Sequence, residues 1–177
     1  MGKTILKKKA KGTWKGTACP TSIASLKALQ MLPRMCYSAV RDVNLSFNRI
    51  ESIPKELWKL TQLEALSLFN NYLTFLPKEL GKLTQLRTLD LYNNQFVTLP
   101  KEIGNLTQLR TLHLFGNQIT AIPSELGELH HLEILTLDNN YLTIIPKELG
   151  NLTRLKELYL RDNSITAIPK ELGNLPQ

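Results

Sequence analysis

The sequence predicts an α/β solenoid, a curved stack of short parallel strands with helical turns on its outer side. From Val40 onward the 177-residue chain repeats itself in six units of 23 residues. Places 1, 4, 6, 11, 14, 18 and 21 of each unit hold Leu, Ile, Val or Phe without exception. A spacing kept through every unit indicates one continuous buried face shared by stacked neighbours. The units are 40–62, 63–85, 86–108, 109–131, 132–154 and 155–177.

The first half of each unit predicts a strand. Places 4 and 6 are apolar and places 3, 5 and 7 are free to vary, which is the period of two that a β-strand has. Identical strands stacked in register form a parallel sheet with one strand per unit. Place 9 is Asn in every unit, and its amide both donates and accepts, so it could satisfy backbone groups where the chain turns under the sheet.

The second half of each unit predicts one short helical or 3₁₀ turn. Pro stands at place 15 and Glu at place 17 of every unit, and Gly at place 19 of all but the first, which has Trp58. We expect Pro to begin the turn, Glu to lie at its positive end and Gly to end it with a positive φ. The turns are bulkier than the strands, so the strands should line the concave face.

These residues carry a family resemblance. The pattern L-x-x-L-x-L-x-x-N-x-L over residues 40–177 resembles the leucine-rich repeat family, and the tail P-K-E-L-G-x-L-T resembles its 23-residue class, found in intracellular Ras-group proteins and in bacterial proteins. The resemblance implies that the place-9 residues form an asparagine ladder that bonds successive turns. The ladder would contain Asn48, Asn71, Asn94, Asn117, Asn140 and Asn163.

The positive charge lies ahead of the repeats. Residues 1–39 hold eight of the 22 Lys and Arg residues and no Asp or Glu. Residues 1–20 predict a basic, solvated arm; an arm that binds acidic lipid or nucleic acid, or a signal or lipid anchor, stays open, although no apolar stretch of a signal peptide follows the charges. Residues 21–39 predict a cap, either a helix or a degenerate half-unit, with Cys36 as a small buried hydrophobe.

The sequence contains no recognisable catalytic or metal-binding motif. It has no phosphate-binding Gly loop, no C-x-x-C and no H-E-x-x-H. The adjacent His130 and His131 occupy a predicted loop without a third ligand. We therefore expect no enzyme activity, no cofactor and no metal.

The outward strand places predict a binding face. Phe69, Tyr92 and Phe115 occupy place 7 of three consecutive units and should form an aromatic ridge with ~4.8 Å between strands. The ridge could anchor a partner or simply stack over the sheet, and the two roles are compatible. The expected flanking residues are Asp90, His113, Arg87 and Arg110, and the expected second, charged cluster is Asp138, Tyr159 and Arg161.

We therefore predict a monomeric, non-catalytic module that binds a protein or peptide on its concave face, as a scaffold or adaptor in signalling or in host-cell interaction. A small-molecule substrate and nucleic acid are not expected as ligands. Two alternatives stay open: membrane or nucleic-acid binding through the basic arm, and a regulatory fragment of a larger enzyme. Free cysteines and the lack of a secretion signal predict a cytoplasmic location, with a secreted or surface protein left open.

Overall fold

The computed structural model describes residues 18–176. It contains one parallel sheet of seven strands, arranged in chain order from β1 to β7, so the predicted solenoid is confirmed. The strands are β1 Ser22–Ile23, β2 Asp42–Asn44, β3 Ala65–Ser67, β4 Thr88–Asp90, β5 Thr111–His113, β6 Ile134–Thr136 and β7 Glu157–Tyr159. One α-helix, α1, spans Leu26–Gln30, and 3₁₀ turns span Arg34–Cys36, Leu57–Lys59, Lys78–Lys82, Lys101–Asn105, Ser124–Glu128, Lys147–Asn151 and Lys170–Asn174.

The 23-residue period sets the register of the sheet. Each strand from β2 to β7 covers places 3 to 5 of its unit, and neighbouring units pair through the same places, as in Ala65 opposite Thr88 and Ser67 opposite Asp90. The leucine between them, at place 4, points into the core and is buried in both strands. Side chains at places 3 and 5 therefore stand on the concave face.

The apolar places form one hydrophobic core along the stack. Each buried Leu or Ile contributes ~1.5–3 kcal/mol when fully removed from water, but only where a neighbouring unit covers it. Ile145 in the fifth unit is 2 % exposed, whereas Ile168 at the same place of the sixth unit is 60 % exposed. Within the described residues no further unit lies over the sixth, so its apolar side chains stay partly accessible.

The turns differ from their prediction in two respects. Pro77 has an extended backbone, with φ −75° and ψ 156°, and its carbonyl accepts the first bond of the turn from Leu80 N–H at 3.0 Å, so proline precedes the turn instead of starting it. Gly104 lies inside its turn, and a Cβ there would lie 2.6 Å from the Glu125 carbonyl oxygen of the next unit. Close packing between turns, not a positive φ, therefore requires this glycine, and the prediction that it ends the turn is wrong.

Positive φ occurs at place 8 of every unit, just after the outward strand residues, and in the first unit also at Arg49, at place 10, with φ 54°. Five units have Asn, Asp or Gly at place 8, the residues that adopt the left-handed region most readily, and the first unit has Phe47 with φ 58°. The six residues are Phe47, Asn70, Asn93, Gly116, Asn139 and Asp162. Phe47 is therefore an aromatic residue held in a conformation that bulky side chains seldom adopt.

The segment before the repeats contains both a strand and a helix. β1 pairs in parallel with β2 and extends the sheet beyond the six predicted strands. The helix α1 begins after Ser25, whose hydroxyl accepts a bond from Ala28 N–H at 3.2 Å, a normal N-cap contact. The segment thus covers the apolar edge of the first unit, where Val40 is fully buried.

A disulfide joins Cys19 to Cys36 with a Cα–Cα distance of 5.1 Å. Cys36 is buried as predicted, but the prediction of free cysteines is wrong. The separation of 17 residues did not reveal the pairing because the segment between them has no repeat to fix its path. Pro20 is also buried, so the end of the predicted arm lies against the cap, while its residues 1–17 lie outside the described residues. No helix in residues 18–176 is long and apolar enough to cross a membrane.

Candidate functional site

Five asparagines at place 9 form equivalent rungs beneath the sheet edge. Asn94 illustrates the pattern: its Nδ2 donates to the carbonyl oxygens of Leu91 at 3.1 Å and of Leu68, one unit earlier, at 3.0 Å. Its Oδ1 accepts from Leu73 N–H at 3.1 Å. Each rung thus joins two units through backbone groups that have no strand partner. The equivalent residues are Asn71, Asn94, Asn117, Asn140 and Asn163.

The prediction of six equivalent rungs is wrong for Asn48, which does not make the bonds of a rung. It is exposed, and its Nδ2 donates to Ser46 O at 2.8 Å within its own turn. Its backbone N–H donates to Asn71 Oδ1 at 3.2 Å, so it is bonded by the next rung rather than acting as one. The residue that would present the partner N–H, 21 positions earlier, is Lys27, which lies inside α1 instead of a turn.

Three rings form an aromatic cluster on the concave face: Phe47, Phe69 and Tyr92. The Phe69 and Tyr92 rings are stacked, with centroids 4.5 Å apart and planes within 9°. Phe47 meets Phe69 edge-on, with centroids 4.7 Å apart. Phe47 is 69 % exposed, while Phe69 and Tyr92 are half-buried, so the cluster both stacks and presents ring surface to solvent.

The cluster lies one unit closer to the N-terminus than the predicted ridge. Phe115 is 41 % exposed but takes part in neither of the two ring pairs found among residues 18–176. Phe47 was missed because place 8 belongs to the turn rather than the strand. The available signal was the residue type, since Asn, Asp or Gly fills this place in the other units.

A polar row runs along place 5 beside the rings. Ser67 Oγ donates to Asp90 Oδ2 at 3.3 Å, and His113 Nδ1 lies 3.2 Å from Thr136 Oγ1. These residue types also occur in hydrolytic triads, but there the serine is hydrogen-bonded to the imidazole. In this row Ser67 donates to a carboxylate, an arrangement that does not activate a nucleophile.

Asp90, the acidic member of this row, is half-buried. Burial raises the pKa of its carboxyl group, and the backbone N–H of Tyr92, the nearby His113 and the Ser67 hydroxyl lower it in part. Its Oδ1 is inaccessible to solvent and has no hydrogen-bond partner within the described chain. The same carboxylate contributes to a raised pKa of Tyr92, for which burial is the larger cause.

The predicted flanking arginines belong to a column of charged side chains at place 2. Arg87 Nε lies 3.8 Å from Glu64, which also pairs with Arg41 at 3.5 Å. Arg110 Nη1 lies 3.1 Å from Glu133 Oε1, which also binds Lys156. The hydrogen bond from Lys156, more than any other contact, lowers the pKa of Glu133.

The second predicted cluster contains one main-chain bond and one side-chain bond to a further residue. Asp138 Oδ1 accepts from the backbone N–H of Arg161 at 2.6 Å, so a main-chain bond connects these two residues. Tyr159 OH donates to Glu157 Oε2 at 3.0 Å, which raises the pKa of Tyr159. Sequence reasoning did not select Glu157 as a site residue.

Two protein-family models match the repeats of this chain. The family model described as "Leucine-rich repeat region" matches residues 76–177, and the model described as "Leucine rich repeat" matches residues 38–96. No curated protein matches the sequence significantly.

Three solved structures illustrate the similarity. A leucine-rich repeat protein of Leptospira interrogans is 38 % identical with a TM-score of 0.77 over 85 % of this chain and 37 % of that one. The ectodomain of the Arabidopsis thaliana receptor kinase GASSHO1/SCHENGEN3, in complex with CASPARIAN STRIP INTEGRITY FACTOR 2, is 30 % identical with a TM-score of 0.72 over 88 % of this chain and 22 % of that one. The plant peptide hormone receptor RGFR1, in complex with RGF2, is 35 % identical with a TM-score of 0.71 over 78 % and 23 %.

This chain thus spans between about a fifth and two fifths of the length of these proteins. With family models covering its repeats and with the strand, turn and asparagine geometry that these repeats require, the chain belongs to the leucine-rich repeat family.

Proposed function

We propose that this chain is a recognition module whose concave face binds an extended segment of a protein through the aromatic cluster. The family typically serves interaction rather than catalysis, and two similar structures are receptor ectodomains in complex with other molecules. A role as a scaffold or adaptor without enzyme activity, acting as a monomer, belongs to the same proposal.

The observation that carries this proposal is the free-energy cost of keeping the Phe47 ring exposed in a left-handed backbone conformation. Phe47 keeps a left-handed backbone, which costs of order 1–3 kcal/mol for a bulky residue, and still leaves 69 % of its surface in water. If place 8 of the first unit served only the fold, the Asn found there in other units would fill it without this free-energy cost. Exposed aromatic side chains supply large contact area at low entropic cost and are frequent hot spots of interfaces.

The experiment is an affinity selection from a synthetic library of short random peptides with free carboxyl termini, sequenced by mass spectrometry. Affinities of the selected peptides are then measured by fluorescence anisotropy. The triple variant Phe47→Ala, Phe69→Ala and Tyr92→Ala should bind at least about 30-fold more weakly, the loss of one hot spot of 2 kcal/mol or more. Phe115→Ala, tested separately, reports whether the contact extends to the next unit.

The matched control removes the same number of exposed rings from outside the concave face. Tyr72, Phe75 and Tyr141 are 47 %, 60 % and 61 % exposed and lie after the place-9 asparagines. Their triple alanine variant should bind the selected peptides like the original chain. Equal loss in both triple variants, or a selection that enriches no peptide, contradicts the proposal.

The disulfide bears on the location of the chain. The cytoplasmic expectation rested partly on free cysteines, whereas Cys19 and Cys36 are bonded. Disulfides persist in oxidising compartments and are rare in the reducing cytosol. We propose the secreted or surface location that the sequence left open. Alkylation of unreduced chain taken from its host tests this: modification of either cysteine by the reagent contradicts the location.

A further inference from the structure

The column of charges at place 2 alternates in sign at every step but one. From β2 to β7 it reads Arg41, Glu64, Arg87, Arg110, Glu133 and Lys156, and each step between opposite charges is an ion pair of 2.6–3.8 Å. The exception is the central step from Arg87 to Arg110. These two residues lie side by side, since Arg110 N–H donates to Arg87 O at 2.8 Å. Like charges on neighbouring strands repel each other.

Both arginines keep donors for a ligand. Arg87 uses Nε for Glu64, and Arg110 uses Nη1 for Glu133, whereas a guanidinium carries five N–H donors in a planar fork. No acidic group in residues 18–176 pairs with their remaining nitrogens. The two side chains are 58 % and 53 % exposed, so a ligand can reach them from solvent.

We propose that Arg87 and Arg110 together bind the side-chain carboxylate of an Asp or Glu residue in the partner. One carboxylate at this step would make the column alternate throughout, and two planar forks suit the bidentate geometry of a carboxylate. This inference rests on the proposed function and names the chemistry of the partner.

The position of the arginines also predicts the spacing of the partner's residues. Arg87 at place 2 and Tyr92 at place 7 belong to the same unit, and five extended residues span ~16 Å at ~3.3 Å each. A partner segment lying along the strand would therefore carry its acidic residue about five residues from the apolar side chain that meets the aromatic cluster.

The test uses the peptide selection described above with two double variants of equal charge. Arg87→Gln with Arg110→Gln removes the central pair. Arg41→Gln with Lys156→Gln removes the same charge and two ion pairs from the ends of the same column. Circular dichroism of both variants checks that the fold is kept.

We expect peptides selected on the original chain to be enriched in Asp or Glu at the predicted spacing from an apolar residue. The central double variant should bind them ~10–100-fold more weakly, the effect of losing a hydrogen bond to a charged group, and the end variant should bind them unchanged. Replacing the selected Glu by Gln in the peptide should weaken binding to the original chain and have no further effect on the central variant.

Other outcomes overturn the inference. Enriched peptides without acidic residues, or equal losses in both double variants, refute the carboxylate site and leave the proposed function standing. Peptides that lose affinity on amidation of the C-terminus, but not on the Glu to Gln change, would assign the site to a terminal carboxylate and refute the side-chain assignment. A selection that enriches nothing contradicts the proposed function itself, and this inference with it.

Discussion

The first unit, residues 40–62, and the inner units have the same apolar places but use their turns differently. In the inner units place 9 is a buried rung, as at Asn94, and place 8 is a small or amide residue in the left-handed region. In the first unit Asn48 is exposed and place 8 is Phe47. Place 19, a tightly packed glycine in the inner units, is the buried Trp58 in the first unit.

The difference shows that the role of a repeated residue depends on the unit before it. The rungs each accept from a turn N–H of the preceding unit, whereas the residue 21 positions before Asn48 is Lys27, which lies inside α1. The first unit therefore contributes no rung to the ladder, and its turn instead places the Phe47 ring on the concave face against Phe69. Four sets of substitutions test this comparison.

The largest effect should separate Asn94 from Asn48. Asn94→Ala leaves the buried Leu73 N–H without its partner, at ~1–3 kcal/mol, and removes one bond, at ~0.5–1.5 kcal/mol each, from the Leu68 and Leu91 carbonyls. Each of these carbonyls keeps the amide donor of a neighbouring rung. The free energy of unfolding should fall by ~3–5 kcal/mol in urea titrations. Asn48→Ala, the same change at the exposed position, should cost less than ~1 kcal/mol. Similar losses at both positions would show that the first unit does contain a rung.

The disulfide should give the next largest effect. It closes a loop with a sequence separation of 17 residues, for which the entropy of the unfolded chain predicts ~3 kcal/mol. The double variant Cys19→Ser and Cys36→Ser should lose about that much stability, and hydrogen exchange should show the opening confined to the cap and the first unit. Faster exchange in the fifth unit as well would contradict a local role. Reduced original chain serves as the control.

A smaller effect is expected from the glycines of place 19. A Cβ on Gly127 would overlap the backbone oxygen of Glu148 in the next turn, whereas nothing lies within 4 Å of a Cβ on Gly173. Gly127→Ala should therefore cost ~1–3 kcal/mol through forced displacement of the turns. Gly173→Ala should be neutral or stabilising, since it meets no neighbour and reduces the freedom of the unfolded chain. Thermal unfolding measures both; equal shifts would refute the packing explanation.

The sequence predicts those features of the fold that depend on contacts repeated in every unit. The apolar places, the strand register and the parallel sheet recur every 23 residues, so one unit predicts the next. The pairing of Cys19 with Cys36 depends on a segment without a period, and the exposure of Asn48 depends on that segment's helix. Gly104 is required because its turn packs closely against the next turn. The distance between two turns cannot be predicted from the order of residues within one unit.

The sequence predicted which places of the proposed binding face point outward, but not how deeply each side chain is covered. Alternation placed Tyr92 and Asp90 toward solvent, and both belong to the concave side. Alternation cannot show that Phe47 turns onto the cluster from place 8, because a left-handed residue breaks the period of two. It also cannot show that one Asp90 oxygen is covered by its neighbours.

The smallest effect is expected from a change to the partly covered carboxylate of Asp90. The change replaces Asp90 by Asn, the residue that the first unit has at the same place. Place 5 is Asn44 in the first unit and Asp90 in the third. Burial raises the pKa of Asp90 in the folded chain, so the folded state holds its proton to higher pH than the unfolded state does. Stability therefore falls as pH rises from the ordinary carboxyl pKa through the raised one, and the full penalty remains at neutral pH.

Asp90→Asn removes that penalty and should raise the free energy of unfolding at neutral pH by ~0.5–1 kcal/mol. The gain should shrink as the pH is lowered through ~4 and vanish below that, where the original side chain is protonated in both states. Asp42→Asn, at an exposed position of the same face, controls for the loss of one negative charge. If Asp90→Asn destabilises the chain at neutral pH, then the ionised carboxylate supports the fold through Ser67 and the Tyr92 N–H, and its burial carries no net penalty.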